Sequence, residues 1–453
     1  MSRFRLFLIV VTVLIVGAGG YLYWFSQTHN SFLELLNVLQ PGPDEAPPTQ
    51  PTTPIEPPVR SEAEGTEAET DLTLVEKTLR VPSQFDGVDP FSQPRVLQVP
   101  RAAEISVFAA GFRKERFMAV SPSWWPAGEG ILYITDAKAD SVYALPDRDG
   151  DGVADEVVEV ARGMDFPHGI VFHDGALWVV TTTTVRKFFD DDGDLRAERS
   201  ELVIDNLPPG GNHVSRTIAF DAQGRLYVSI GSSCNVCEDD PRRAAILRFN
   251  ADGSGEEVFA SGLRNGVGIV FDANGELWET ENGRDLIGDD VPPEEINIVR
   301  EGRHYGWPYC YAEGIVDTTF KKRTRLRESI ESFCASTQNP AVQFQAHTAP
   351  LGLRFLDDER IPEAIRGDLL VALHGSWNRT VPVGYEIIRV SGLPENPELT
   401  PFVTGFLEPN QSGLGRWGMS AKAWGRPVDV IVGADGAIYI SDDAANAVYR
   451  LAF

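Results

Sequence analysis

A short strand signature recurs along the chain, and this repeat constrains the fold more than any other feature. Each copy has an acidic or glycine-containing turn, a short apolar run and then a polar loop; six copies lie at 128–137, 173–182, 221–231, 272–282, 366–375 and 434–443. The first four follow one another at about 50 residues. Short strands at this period predict an all-β fold, a six-bladed β-propeller with one four-stranded blade per copy.

The two ends of the repeat region also look like strands. Ile105–Ala109 precedes the first copy and Ala447–Phe453 follows the last, so we expect the two segments to share one blade and close the ring. No helix-period segment of useful length interrupts the copies, which counts against an α/β fold. A propeller gathers the starts of its innermost strands at one mouth of a central channel, where loops from several blades converge. A site is therefore expected at that mouth.

The N-terminal part of the chain has a different composition. Residues 6–25 carry no charge and match the ~30 Å hydrocarbon core as one helix. Arg3 and Arg5 precede them, which favours a cytoplasmic N-terminus and an exported body. We predict a retained transmembrane anchor, and a cleaved signal peptide stays open as the alternative. The expected domains are an anchor at 1–30, a Pro/Glu-rich linker at 31–92 and the propeller at 93–453.

Charge and cysteine usage limit the possible partners and the compartment. The net charge of −26 argues against nucleic acid, because phosphate binding needs a basic face. Cys234 and Cys237 form a CxxC motif without the following histidine of a heme attachment or a second CxxC for zinc. Two disulfides in an exported protein are therefore expected. Of the three possible connectivities we predict Cys234–Cys237 and Cys310–Cys334.

Two polar loops flank one strand pair in residues 261–308. Arg264 and Asn265 stand at the entrance of the pair, and an acidic glycine loop, Glu281–Asp285, stands at its exit. A purely structural sheet needs neither, so this stretch is expected to hold something charged. His213 lies in the glycine-rich loop that enters the third copy, and His168 holds the same position in the preceding copy. Imidazole can take a proton near neutral pH.

Acidic loops raise the question of calcium. Asp147, Asp149 and Asp151 alternate as in a calcium loop, although Val158 stands where the bidentate glutamate belongs. If this loop binds calcium, we expect the ion to be structural. The run Asp190–Asp194 is expected to be a solvated turn.

Four motifs together resemble one known family. GGNHVSRTIAFDAQGRLYVSIG, GLRNGVGIVFD, NIVREGRHYGWP and WGRPVDVIVGADGAIYISDDAANAVYR are similar to segments of the soluble PQQ-dependent sugar dehydrogenases, and most of all to their sorbosone dehydrogenase-like branch. The resemblance covers roughly residues 103–453. It implies a six-bladed propeller with PQQ and calcium over the channel mouth. It also implies oxidation of an aldose or sugar aldehyde by hydride transfer to the quinone.

The resemblance implies a role for each matching residue. His213 matches the base that removes the substrate hydroxyl proton, and His168 is expected to line the substrate pocket. The remaining matches are Arg264 and Asn265 at the quinone oxygens, the carbonyls of Gly283 and Arg284 at the cofactor calcium, Glu295 and the Tyr305 carbonyl at a second calcium, and Arg426 at the PQQ carboxylates.

The chain also departs from the family pattern. The family has a second arginine for the PQQ carboxylates two residues after the one that matches Arg426, and here that position is Val428. Arg284 stands where the family has proline. The cofactor lysine is absent, and we expect His374 or Arg379 to replace it. These departures leave the carboxylate clamp and the identity of the sugar open.

Two other functional classes remain open at this stage. A calcium-dependent lactonase-like hydrolase would need carboxylate and asparagine ligands that converge on a channel metal. A non-catalytic propeller would bind a protein or glycan and would have no use for the arginines and histidine of the mouth. For the dehydrogenase we expect a small sugar substrate, an unidentified exported electron acceptor, and attachment to the membrane through the N-terminal helix.

Overall fold

Six four-stranded antiparallel sheets form the body of the protein in the computed structural model, which describes residues 70–320, 325–408 and 422–453. In chain order the strands are β1 (Leu74–Thr78), β2 (Val96–Pro100), β3 (Glu104–Ala110), β4 (Glu115–Val120), β5 (Leu132–Asp136), β6 (Ser141–Leu145), β7 (Val158–Arg162), β8 (Ile170–His173), β9 (Ala176–Val180), β10 (Val185–Phe189), β11 (Arg199–Ile204), β12 (Arg216–Phe220), β13 (Leu226–Ile230), β14 (Ala245–Phe249), β15 (Glu257–Ser261), β16 (Gly266–Phe271), β17 (Leu277–Glu281), β18 (Glu294–Val299), β19 (Cys310–Tyr311), β20 (Ile315–Val316), β21 (Val342–Phe344), β22 (Pro350–Phe355), β23 (Leu369–Leu373), β24 (Glu386–Ser391), β25 (Glu398–Val403), β26 (Pro427–Val432), β27 (Ile438–Asp442) and β28 (Ala447–Ala452). The helical elements are α1 (Ile330–Cys334) and two 3₁₀ turns, Ser83–Phe85 and Glu363–Ile365.

Each copy of the repeat supplies the second strand of one blade. The blades are β4–β7, β8–β11, β12–β15, β16-β17-β18-β21, β22–β25 and β26-β27-β28-β3, and the second strands are β5, β9, β13, β17, β23 and β27. The prediction of an all-β, six-bladed propeller with four-stranded blades is confirmed. The turn before the second strand requires glycine at its tightest point, as at Gly275, whose φ is 80°.

The first and last strands of the body close the ring. β28 pairs antiparallel with β3, from Ala447 opposite Ala110 to Ala452 opposite Glu104, as the sequence predicted. The six innermost strands, β4, β8, β12, β16, β22 and β26, pack side by side around the axis. Neighbouring blades bury apolar side chains between them, and each large one contributes about 1.5–3 kcal/mol. The result is a rigid frame with loops at both mouths.

The predicted linker extends too far along the chain. β1 and β2 pair with each other, and Leu79, Phe85 and Phe91 are buried in the same core as the outer strands of the propeller. Residues 70–92 therefore belong to the folded body, because the alternating LVEKTL segment has an apolar face to bury. The rest of the predicted linker and the span predicted at 6–25 lie outside the described residues. Within the part that is described, no helix is long and apolar enough to cross a membrane.

Both predicted disulfides are present. Cys234 is bonded to Cys237 in the connection between β13 and β14, and Cys310 is bonded to Cys334. The second bond ties α1 to the β19–β20 hairpin within the long insertion between β18 and β21. These bonds hold two loops that lie beside the channel mouth.

Two acidic loops occupy equivalent connections, between the third and fourth strands of the first two blades. Asp147, Asp149 and Asp151 bring carboxylate oxygens within 4.8 Å of one another, and Asp190, Asp192, Asp194 and Glu198 do the same. Asp190 is only 1% exposed and accepts backbone N–H bonds from Gly193 and Leu195. The expectation of a solvated turn is therefore wrong for Asp190, which caps its own loop.

Candidate active site at the channel mouth

A cavity of about 380 Å³ lies where the innermost strands begin and the second strands end. Five of the six blades contribute to its wall. Its described charged and imidazole side chains are Lys114, Arg116, Arg264, Arg426, Asp285, Glu294, Asp443, His213, His347 and His374. The convergence of loops from several blades that propeller geometry predicted is therefore observed, and it brings His213, Arg264 and Arg426 into one cavity.

His213 presents a neutral imidazole to this cavity. Its Nδ1 lies 3.0 Å from the carbonyl oxygen and 2.9 Å from the Oγ of Ser232. A carbonyl only accepts, so Nδ1 carries the hydrogen and Nε2 keeps its lone pair. Burial and, secondly, the nearby Arg264 guanidinium hold the pKa of His213 well below its usual value. The ring is therefore an unprotonated base at neutral pH.

Arg264 is immobilised by the protein itself. It is 3% exposed, and its guanidinium donates to the Asn235 oxygens O (3.0 Å) and Oδ1 (3.0 Å), Asn282 O (3.0 Å), Gly283 O (2.8 Å) and Asp285 Oδ2 (2.8 Å). This fixes a positive charge beside His213. It also places the Gly283 carbonyl, a predicted calcium ligand, at the cavity wall with a guanidinium already bound.

Asn265 lies next to His213 because a glycine separates them. A Cβ added to Gly231 would lie 2.6 Å from Asn265 Oδ1 and 2.6 Å from His213 Cβ. Any larger residue at position 231 would push these two side chains apart. The close approach of His213 and Asn265 therefore depends on Gly231, whose role the sequence did not reveal.

The opposite wall carries a second group of charges. Arg426 donates to the carbonyls of His374 (2.9 Å) and Gly375 (2.6 Å). His374 Nε2 lies 2.7 Å from Asp443 Oδ1, and burial, in spite of Asp443, lowers the pKa of His374 to about 4. His374 is therefore present as predicted, but as a neutral ring.

Lys114 and Arg116 complete this wall, and sequence reasoning missed both. Asp443 Oδ2 lies 2.6 Å from Arg116 and 3.9 Å from Lys114. The Nε of Arg116 is buried without a hydrogen-bond partner. A signal existed in the sequence, because Lys114 and Arg116 precede an apolar run as Arg426 does at the entrance of its own blade.

Two predicted residues, Arg379 and His168, line neither this cavity nor the small one described below. Arg379 donates hydrogen bonds to the carbonyls of Asp289 and Ala346 and to the carboxylate of Asp290. His168 is fully buried against Phe117, with ring centroids 4.7 Å apart. The expectations that Arg379 holds the cofactor and that His168 lines the substrate pocket are not supported, because Arg379 is bonded within the fold and the fully buried His168 lies outside the cavity wall.

A small cavity of about 20 Å³ lies behind the main one, lined by Glu281, Gly283, Arg284, Glu295 and Tyr305 among others. This volume holds roughly one water-sized group. It brings together four residues that the resemblance assigned to calcium.

Buried carboxyl groups lie in and next to the lining of the small cavity: Glu281 and Glu295 line it, and Asn297 Nδ2 connects Glu295 with Glu279. Glu279 Oε1, Glu281 Oε2 and Asn297 Oδ1 are buried without hydrogen-bond partners. Burial raises the pKa of Glu279 to about 8 and that of Glu295 to about 7, and it raises that of Glu281 as well. Unpartnered oxygens of this kind are the ligands that a hard cation takes.

Comparisons with known proteins agree with this architecture. The profile of the TrAA12-like family matches residues 104–452. An uncharacterized protein of Borreliella burgdorferi is 31% identical over 319 residues, which are 65% of this chain and 78% of that protein. A pyrroloquinoline quinone-dependent pyranose dehydrogenase of Coprinopsis cinerea is 27% identical over 295 residues, 52% of this chain and 39% of that enzyme.

Solved structures show the same fold. The PQQ domain of the Coprinopsis cinerea pyranose dehydrogenase, in its holo form, superimposes with a TM-score of 0.66 at 22% identity, covering 79% of this chain and 97% of that domain. The chain therefore belongs to the TrAA12-like family, and the predicted relationship to PQQ-dependent sugar dehydrogenases is confirmed.

Proposed function

We propose that this protein oxidises an aldose or sugar aldehyde in a reaction that depends on PQQ and calcium. One observation carries the proposal. Lys114, Arg116, Arg264 and Arg426 converge with His213 on a single cavity of a chain whose net charge is −26. These four cations outnumber the three carboxyl groups of the same cavity, Asp285, Glu294 and Asp443, so the wall keeps positive charge that a ligand with carboxylates would balance.

The described residues fit PQQ, which accepts a hydride at its quinone when bound. Arg426, Arg116 and Lys114 would hold its carboxylates, and the unpartnered Nε of Arg116 is a buried donor that an anionic ligand would satisfy. Lys114 and Arg116 thereby supply the charges that are missing at Val428, which is buried in the core. Asn265 would face the quinone oxygens beside His213, and Arg264, whose five N–H groups are all donated within the protein, would act there through its fixed positive charge.

Calcium fits the oxygen donors on the other side. The Gly283 and Arg284 carbonyls would hold a cofactor calcium; Gly283 shares the wall of the main cavity with the Asp285 and Glu294 carboxyl groups, and Arg284 lines the small cavity. Glu295 and the Tyr305 carbonyl would hold a second ion, and the unpartnered Oε2 of Glu281 in the lining of the same small cavity supports this assignment. Calcium ions would compensate the charge that buried carboxylates leave unbalanced.

His213 is the base that the wall offers for a sugar hydroxyl. In the cyclic hemiacetal of an aldose, or in the hydrate of a sugar aldehyde, a hydride leaves the carbon easily only while the hydroxyl on the same carbon loses its proton, and a positioned base typically contributes 10²–10⁴-fold. Nε2 of His213 is free to take that proton, because Nδ1 donates to Ser232. The neighbouring arginines cannot serve, since a guanidinium keeps its proton in proteins.

We also propose that residues 6–25 anchor the protein in a membrane and that the propeller is exported, with an exported electron acceptor. The uncharged run and the two disulfides support this proposal. Fractionation of the full chain tests it: recovery with membranes is expected, and recovery of a protein that begins after residue 25 would contradict it.

Reconstitution tests the proposed reaction. Metal-free protein receives PQQ and calcium together with an artificial electron-accepting dye and a panel of aldoses, sugar aldehydes and sugar lactones. Dye reduction with a sugar, dependent on both additions, is expected. Lactone hydrolysis without PQQ would indicate the hydrolase instead, and saturable glycan binding without turnover would indicate the non-catalytic propeller.

A further inference from the structure

The Cys234–Cys237 disulfide closes a tight loop beside the cavity, and Asn235 lies inside it. Asn235 takes part in five hydrogen bonds. Its carbonyl accepts from Arg264 Nε (3.0 Å) and Trp307 Nε1 (3.2 Å), its Oδ1 accepts from Arg264 Nη2 (3.0 Å) and the Asp285 N–H (2.9 Å), and its Nδ2 donates to the Asp285 carbonyl (3.0 Å).

These bonds define one orientation of the Asn235 amide. Oδ1 faces two donors and Nδ2 faces a carbonyl, so the reversed amide would lose all three side-chain bonds. Asn235 is half-buried, and its backbone carbonyl also accepts from the same guanidinium. Asn235 thus connects Arg264 with the segment that carries the predicted calcium carbonyls.

The same disulfide loop also reaches His213. The hydroxyl of Ser232 donates to the Cys234 carbonyl (2.7 Å), and Ser232 receives the Nδ1–H of His213. His213 enters the third blade and Arg264 enters the fourth. One loop therefore orients the base and the fixed charge, although these come from different blades.

Such a network needs a loop that does not rearrange. A loop between two strands usually pays conformational entropy for every contact that it orders. A cross-link removes part of that freedom in advance, and positioned groups bind and react better when their supports are rigid.

We propose that the Cys234–Cys237 loop is the positioning element of the site, with Asn235 as the positioning residue that keeps Arg264 and Asp285 in place relative to His213. The inference rests on the proposed function for its effect on turnover. Asn235 acts through Arg264 and Asp285, not through contact with substrate.

Two variants of the full-length protein and one control test the proposal. Asn235→Ala removes the amide and leaves the disulfide intact. Cys234→Ser with Cys237→Ser removes the cross-link and leaves the amide. Val236→Ala is the matched control, because Val236 belongs to the same loop but its side chain packs on the apolar cluster of the insertion.

The first readout is kinetic and uses protein reconstituted with PQQ and calcium. Losing bonds to a charged group typically costs ten- to a hundredfold. Asn235→Ala is expected to lower kcat at least ~10-fold while KM for the sugar changes less than ~3-fold, and Val236→Ala to stay within ~2-fold. A general loss of folding would instead lower the amount of active protein and the melting temperature.

The second readout needs no cofactor. Hydrogen exchange of the Asp285 amide, which donates to Asn235 Oδ1, is expected to accelerate at least ~10-fold in Asn235→Ala and in the double serine variant, but not in Val236→Ala. Unchanged exchange together with unchanged kcat in Asn235→Ala would overturn the proposal. If the parent protein shows no sugar oxidation, the proposed function fails, and the exchange comparison alone decides whether the loop positions the site.

Discussion

The two walls of the mouth hold their arginines in different ways. The first wall carries His213, Arg264 and Asn265, and the second carries Lys114, Arg116, His374 and Arg426. On the side of the third and fourth blades, five hydrogen bonds to the protein immobilise Arg264. On the opposite side, the guanidinium of Arg426 donates to two carbonyls, and Arg116 keeps a buried Nε without a partner. The first wall is complete without a ligand, whereas the second retains capacity for an anion.

This difference indicates that the first wall orients the reacting groups and that the second wall binds the anionic ligand. A fixed charge beside His213 costs no reorganisation when charge develops in a reaction. A buried donor without a hydrogen-bond partner destabilises the protein, so a carboxylate that binds to such a donor gains the most binding free energy. We therefore expect variants of the first wall to affect turnover and variants of the second wall to affect cofactor affinity.

The largest effect is expected on the first wall, at His213. His213→Gln removes the base but keeps a polar side chain of similar size, so kcat should fall at least ~100-fold while PQQ affinity is largely kept. Stopped-flow or steady-state dye reduction measures the first and PQQ titration the second. Normal turnover by this variant would contradict the assignment of His213.

The pH dependence of kcat/KM also tests the assignment of His213 as the base. Burial and Arg264 keep the pKa of His213 well below 6.5, and a base works only in its unprotonated form. As pH falls, kcat/KM should therefore persist below pH 6.5 and decline only at lower values. An acid limb centred above pH 6.5 that is unchanged in His213→Gln would assign the base to another residue.

A smaller effect is expected on the second wall. Arg426→Ala should weaken PQQ binding roughly ten- to a hundredfold, the usual cost of losing a charged partner. Arg379→Ala is the matched control, because Arg379 is not in the cavity wall and binds Asp290 and the carbonyls of Asp289 and Ala346. Fluorescence titration with PQQ compares the two variants. A larger loss of PQQ affinity in Arg379→Ala would indicate that the residues binding the PQQ carboxylates lie on the 374–379 loop.

Buried carboxyl groups behind the first wall predict a stability effect of calcium. The folded pKa of Glu279 is about 8 and that of Glu295 about 7, both above the unfolded value, so the metal-free folded state binds more protons between about pH 4.5 and 8. Its stability should fall as pH rises through this window, by about 1.4 kcal/mol per pH unit for each such group. Calcium should raise the melting temperature more at pH 8 than at pH 5, as thermal unfolding with and without chelator would show. An equal shift at both pH values would contradict a cation among these carboxylates.

The smallest effect is expected at His168. His168→Gln replaces a ring that is packed beneath the wall, so PQQ affinity and kcat should change by less than about threefold, with most of the cost in melting temperature. A selective rise in KM for the sugar would restore the original expectation that His168 lines the substrate pocket.

The repeat predicted the fold because strand turns and apolar runs are local features. Six copies specified six blades, and the pattern of Ile105–Ala109 and Ala447–Phe453 predicted the closing pair. The boundary at 93 was wrong, since prolines and glutamates up to residue 71 masked the short alternating pattern of β1. The composition of a long segment predicts whether most of the segment folds, but it does not locate the residue at which the folded body begins.

The site was predictable only where a motif carried it. His213, Arg264, Asn265 and Arg426 stood in recognisable motifs, and all four line the cavity. Lys114 and Arg116 were missed because a charged pair before a strand is ordinary until the ring brings it opposite Arg426. Hydrogen bonds such as those of Asn235 join segments up to 72 residues apart, and no local pattern reports them.

Titration of PQQ into the metal-free and the calcium-loaded protein tests the central claim most directly. The account predicts saturable binding of one equivalent that is strengthened by calcium, weakened by salt because several charges contribute, and reduced in Arg426→Ala but not in Arg379→Ala. Absence of saturable binding at low salt with calcium present would contradict the assignment of this cavity to PQQ.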